Sequence, residues 1–231
     1  MILYKKNFNI NSILLINLVF SFFPISFVLG SLITNINLIL FCCLGIFHLR
    51  SKILTTEFDL AIKIIFLFFF LIFFSTSLDF FKSLYLNEYE YYDLIKLVKS
   101  ILFFRFFLML VIVYLLSKLD ILNFKYFFIS AAIFPILIAL DVIYQYIFGF
   151  NIIGLKGTDH HNTGFFGDEY IAGGFIQNFS FFSIFLIAFL LKNRSNFRFG
   201  LTTILICIFG VAILVSGNRM PVILFLFGLV L

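Results

Sequence analysis

LAIKIIFLFFFLIFFSTSL, residues 60–78, holds a single charged side chain, Lys63. A helix rises about 1.5 Å per residue and a bilayer's hydrocarbon core is about 30 Å thick, so a run of this length and composition predicts a membrane span. Similar apolar runs cover 13–31, 33–48, 100–117, 126–148, 173–191 and 200–216, and an eighth begins near 221. Of the 231 residues, 63% are hydrophobic and 12% charged, whereas a soluble domain carries roughly 25% charge. The expectation is an all-α, polytopic transmembrane bundle of about eight spans, forming one domain over 1–231. The second run is short and joined to the first through GSLITNIN (30–37), which leaves a re-entrant pair open.

In a soluble chain a net charge of +5 would suggest nucleic acid. Here the basic residues sit at the ends of apolar runs, so no nucleic-acid partner is expected and anionic lipid headgroups of the bilayer are. Cys42, Cys43 and Cys207 lie inside apolar runs without disulfide or zinc spacing, so packing is their expected role and no metal is expected. The 39 Phe and absent Trp accompany abundant Ile, Asn and Lys, a pattern of A+T-rich coding rather than of a motif. The opening MILYKKNFNINSILLINLVF has a basic start but no small-residue cleavage site, and reads as a retained span.

If every run crosses, one side carries Lys5, Lys6, Arg50, Lys52, Lys63, Lys118, Lys125, Lys192, Arg194 and Arg198 against Glu57, Asp59 and Asp120. The other carries Lys82, Lys96, Lys99, Lys156 and Arg219 against Asp79, Glu88, Glu90, Asp93, Asp159, Asp168 and Glu169. The positive-inside rule then puts the N-terminus in the cytoplasm and loop 149–172 outside. The chain stops at Leu231, soon after the eighth run begins near 221, and reads as the N-terminal part of a longer protein.

Ionisable residues within spans are expensive and therefore candidates for function. Arg105 is expected roughly 8 Å below the outer end of its span and Asp141 roughly 10 Å below that of the next, at 1.5 Å per residue. Either they form an ion pair, or Arg105 faces an outward cavity and binds an anion that Asp141 and Gln145 orient. In SGNRMP (216–221), Gly217 suits a helix end and Pro221 the first turn of the next helix, which places Arg219 beside a positive helix N-terminus. A cation there needs an anion, from a lipid headgroup or a phosphorylated ligand. In HHNTGFFGDEYIAGG (160–174), His160 and His161 are adjacent and make no metal pair, and read as solvated loop residues. The glycines read as turns and close approaches, and Asp168 and Glu169 as caps for the following helix.

DVIYQYIFGFNIIG (141–154), TGFFGDEYIAGGFI (163–176) and LVSGNRMPVILFLFGLVL (214–231) resemble, in order, segments of the O-antigen ligase and O-antigen polymerase family of bacterial membrane proteins. The resemblance runs from about Asp141 to the end. It implies a multi-pass protein of the bacterial inner membrane, acting in lipopolysaccharide or polysaccharide assembly by glycosyl transfer at the outer face. The implied donor is a glycan on polyprenyl pyrophosphate, the acceptor a glycan or lipid A, and no cofactor is required. Arginines rather than a metal would neutralise the leaving pyrophosphate, with Arg219 matching the family's arginine and Arg105 a second substrate-binding candidate. Asp141, Gln145, His161, Asp168 and Glu169 would support the site. Family members often carry basic residues around the T-G-F-F-G-D-E core, where this chain has His161 and Asn178. The family's candidate catalytic histidine would lie beyond Leu231, so no catalytic base is assigned and these 231 residues alone are expected to be inactive. A transporter or lipid-linked glycan flippase, or an inactive remnant, are the competing readings. No internal repeat of the transporter type is visible.

Overall fold

The computed structural model describes residues 10–50, 57–86, 91–158, 161–167, 169–192 and 194–230. His160 and Asp168 lie outside the described residues, as do Lys5, Lys6, Lys52, Glu88, Glu90 and Asp159. The described residues form α1 (Ile10–Ser21), α2 (Phe23–Val28), α3 (Ser31–Leu49), α4 (Leu60–Tyr85), α5 (Tyr91–Lys118), α6 (Phe124–Phe148), a 3₁₀ turn (Gly164–Phe166), α7 (Ala172–Leu190), α8 (Ser195–Val215) and α9 (Arg219–Val230). Among them there is no strand beyond one isolated bridge, Phe150 with Lys156. Six helices, α3 to α8, are long and apolar enough to cross a membrane, while Ser12–Ser21 and Arg219–Val230 are shorter apolar helices. The chain is an all-α, multi-pass membrane bundle.

Helix bounds depart from the apolar runs in two instructive places. The first run breaks after Ser21, because Pro24 in the first turn of α2 supplies no N–H to continue the ladder. The α4 and α5 helices extend well past their apolar runs, to Tyr85 and back to Tyr91. Hydropathy marks the part of a helix at hydrocarbon depth, whereas backbone hydrogen bonding carries the helix on through Asp79, Lys82, Asp93 and Lys96. Arg105 is fourteen residues from the start of α5 and five from the start of its apolar run at 100. Asp141 lies seven residues before the end of α6, roughly 10 Å along the axis, as expected.

Two compact units emerge. The first takes in residues up to 16 and 38–123, the second 17–37 and 124–231. In the first, α4 and α5 pack through rings: Phe69 lies 5.0 Å from Phe103 and 5.7 Å from Phe107. Thr76 donates to Ser100 at 2.9 Å, and the Tyr114 hydroxyl donates to the Asp59 carboxylate at 2.6 Å. Arg105 lies on this unit's α5 with its guanidinium 4.9 Å from the Phe106 ring, and its buried Nε has no hydrogen-bond partner among the described residues.

In the second unit, α6, α7 and α8 enclose a core of Ile138, Ala139, Val142, Ile176, Phe209, Ala212 and Ile213, and Phe225 of α9 packs against it. Alanines let the backbones approach closely, which favours helix association where lipid competes for apolar surface. Polar side chains join helices here too. Thr34 donates to the Ser26 carbonyl at 2.9 Å and Asn37 to that of Val19 at 3.3 Å, closing the turn between α2 and α3. Ser130 donates to the Ser21 carbonyl at 2.7 Å, and Ser183 of α7 to Ala132 of α6 at 2.5 Å, close to Pro135 in that helix.

Candidate functional site

The polar chemistry of the second unit gathers where α6 ends, α7 begins, and α8 turns into α9. It starts from two fully buried side chains one helical turn apart, Asp141 and Gln145. Gln145 spends both ends of its amide on the loop, donating from Nε2 to the Leu155 carbonyl at 3.2 Å and accepting from the Gly164 N–H at 2.8 Å. Asp141 accepts the Ile152 N–H at 3.0 Å, and its second oxygen has no hydrogen-bond partner among the described residues. These contacts hold a loop in place.

Asn151, also fully buried, is the knot of the loop. Its Oδ1 accepts from the N–H groups of Ile153 at 3.0 Å and Leu155 at 2.7 Å, an Asx turn, and its Nδ2 donates to the Gly164 carbonyl at 2.7 Å. Gly164 is thus gripped from both sides. Its φ is +56°, and a Cβ there would stand 3.0 Å from Val142 Cγ2 and 3.1 Å from the free oxygen of Asp141. Glycine satisfies both conditions at once.

A second set of contacts ties this loop to the turn between α8 and α9. Asn162 donates to the Val215 carbonyl at 2.7 Å, and Asn218 donates back to the Tyr170 carbonyl at 2.8 Å. The His161 ring packs 4.5 Å from the Tyr170 ring, with Nδ1 3.3 Å from the Ser216 carbonyl. His161 is half-buried and engaged, not simply solvated. Gly173 passes so close to Ser216 that a side chain there would collide with the hydroxyl. Glu169 is exposed and does not cap α7. The residue before that helix is Ile171, which makes no side-chain cap, and the first turn holds no acid. Gly173 explains part of this start, since the first turn there serves close approach to the 216–218 turn rather than dipole complementarity.

The turn itself follows expectation. Gly217, at φ +84°, ends α8, and Arg219 opens α9 with Pro221 two residues on. Arg219 is exposed and lines a groove of about 760 Å³. Phe27, Phe166, Tyr170, Phe175 and Phe179 form its aromatic walls, Gly174 lies along α7, and Asn178 and Asn218 add amides. Arg219 is the one charged residue among the described residues that line it. No group of three or more His, Cys, Asp or Glu suited to a metal occurs among the described residues. The groove offers forked donors to an oxyanion at one place and aromatic surface to hydrocarbon or sugar faces around it.

The structure therefore brings Asp141, Gln145, His161, Glu169 and Arg219 into one neighbourhood, while Arg105 belongs to the other unit. Sequence reasoning passed over Asn151, Asn162, Asn218 and Tyr170. The signal for Asn151 was present, since Asn followed three residues later by Gly in NIIG is a turn signature. Asn162 and Asn218 lie 56 residues apart and carry no comparable local sign. No protein-family model, curated protein or solved structure matches the chain.

Proposed function

We propose that the chain is an O-antigen ligase- or polymerase-like protein, which serves glycosyl transfer from a polyprenyl-pyrophosphate-linked glycan at the outer face of a bacterial inner membrane. The observation that carries this reading is the groove at the start of α9, where one arginine beside a helix N-terminus shares the lining with aromatic walls and, among the described residues, with no carboxylate. The helix end already favours negative charge, so arginine there lowers its own electrostatic energy only when an anion joins it. An aromatic groove favours a ligand that is also amphipathic. A lipid pyrophosphate carrying a sugar has both properties.

The three segments that resemble the family support the reading by their mutual contacts. Gln145 and Asn151 grip Gly164, and the loop in turn bonds the 215–218 turn. In the proposed reaction an acceptor hydroxyl, on a glycan or lipid A, attacks the anomeric carbon. The bond from that carbon to the pyrophosphate oxygen breaks, the proton leaves with a base, and negative charge grows on the pyrophosphate. Arg219 stabilises that growing charge, an interaction stronger in the transition state than before it. The loop's duty is to hold the Arg219 turn.

Replacing Arg219 with Lys keeps the charge and removes the planar fork. In cells carrying the altered gene at its own locus, Arg219→Lys is expected to reach the membrane at normal abundance and to lower glycan transfer roughly 100-fold, as loss of one oxyanion donor does. Near-normal transfer at equal abundance removes Arg219 from the reaction, since a headgroup contact alone tolerates a snorkelling lysine.

A further inference from the structure

A second concave surface lies at the opposite ends of α6 and α7, away from the loop. It is a groove of about 790 Å³ between the first turn of α6 and the last turns of α7. Phe128, Phe182, Phe185, Phe189 and Leu190 line it, and Lys125 is the one charged residue among the described residues of its lining. Phe128 and Phe182 stack at 5.5 Å across the two helices. The α7 side is open to its surroundings, with Phe185 69% and Phe189 77% exposed. In a multi-pass membrane protein such a surface meets lipid chains. From Leu186 to Thr202 the chain carries three cations, Lys192, Arg194 and Arg198, and no carboxylate. Arg198 lines a separate small pocket with Ser195, Asn196 and Thr202 in the first turns of α8.

We propose that this groove is a binding site for an anionic phospholipid, whose acyl chain lies along the phenylalanines and whose phosphate is held by Lys125. Charge complementarity selects the occupant. An annular lipid of any headgroup wets an apolar helix face, but a concave aromatic slot with a cation in its wall, beside a basic turn, discriminates among headgroups. Basic pockets between membrane helices bind anionic headgroups on this principle, each cation near the surface contributing about 1 kcal/mol. That is roughly a fivefold preference at 25 °C. By the charge asymmetry of the sequence this end faces the cytoplasm, where anionic lipid is the attracting leaflet. The site is independent of the Arg219 groove and of any transfer reaction.

The test uses the whole chain, purified in neutral detergent and mixed with equal phosphatidylglycerol and phosphatidylcholine of identical acyl chains, with bound lipid counted by native mass spectrometry. Phosphatidylglycerol is expected to be retained about fivefold over phosphatidylcholine. Lys125→Gln is expected to bring the ratio near one, Lys125→Arg to keep it, and Lys156→Gln, in the loop at the other end, to leave it unchanged. Leu186→Trp, which fills the slot without altering charge, is expected to lower retention of the anionic lipid. Equal retention by the unaltered chain overturns the proposal, as does a preference that survives both Lys125→Gln and Leu186→Trp. A dimer that forms through this face and excludes lipid also overturns it.

Discussion

In the first unit α4 and α5 meet through aromatic rings, with Phe69 stacked on Phe103 and tilted against Phe107, and their short polar contact is the hydrogen bond from Thr76 to Ser100. In the second, the end of α6 buries a carboxylate, a carboxamide and an asparagine completely, and uses them on the backbone of a loop. Burying polar groups costs free energy unless each finds a partner, and ring packing carries no such cost. Apart from the buried Nε of Arg105, the α4 and α5 pair of the first unit is thus built as lipid-facing packing would build any helix pair. The second accepts a costly arrangement in order to fix one loop and, through it, the turn that bears Arg219. The difference is one of construction: the second unit fastens a loop with buried polar groups, a more expensive way to hold helices together.

The sharpest way to break this contrast is at Asn151. Asn151→Ala removes three hydrogen bonds and strands the N–H groups of Ile153 and Leu155 and the carbonyl of Gly164. At about 1 kcal/mol for each, the expected loss is about 3 kcal/mol. Amide hydrogen exchange read by mass spectrometry should show faster exchange across 149–167, while peptides from α4 and α5 keep their protection. Unchanged protection of the loop would show that Asn151 does not hold it. At the other end of the scale, Thr76→Val deletes the interhelical hydroxyl but keeps the shape. Thr76 also donates to its own helix at Phe73 O, 2.9 Å away, and Ser100 to Leu97 O at 2.7 Å. Membrane helices with such local alternatives lose only about 0.6 kcal/mol per interhelical bond. Thermal unfolding in detergent checks this, and a loss comparable with that of Asn151→Ala would erase the distinction between the units.

How far the sequence speaks differs between the same regions. Residues 60–78 and 126–148 are legible as spans because the bilayer imposes one length and one composition on them. The turn at 216–221 is legible because Gly217 and Pro221 act through local backbone chemistry. The start of α5 is hidden from hydropathy, since the helix begins nine residues before the apolar stretch at 100. The duty of Asp141 and Gln145 is hidden for a different reason. A buried polar residue on a helix announces that it needs a partner, but not whether the partner is a substrate or a loop backbone 10 to 20 residues on. Contacts such as Asn162 with Val215 depend on tertiary docking alone, and nothing in either neighbourhood reports them.

The central claim is that the aromatic groove at Arg219 recognises the phosphate of a prenyl lipid. The most direct measurement is equilibrium binding of a polyprenyl pyrophosphate and of the polyprenyl alcohol of equal length to the purified chain in nanodiscs, with and without Arg219→Gln. A hydrogen bond to a charged partner contributes about 1.5–3 kcal/mol, so the pyrophosphate should bind at least roughly tenfold tighter than the alcohol, and Arg219→Gln should abolish that preference. Equal affinity for the two lipids, or a preference that survives Arg219→Gln, would contradict it.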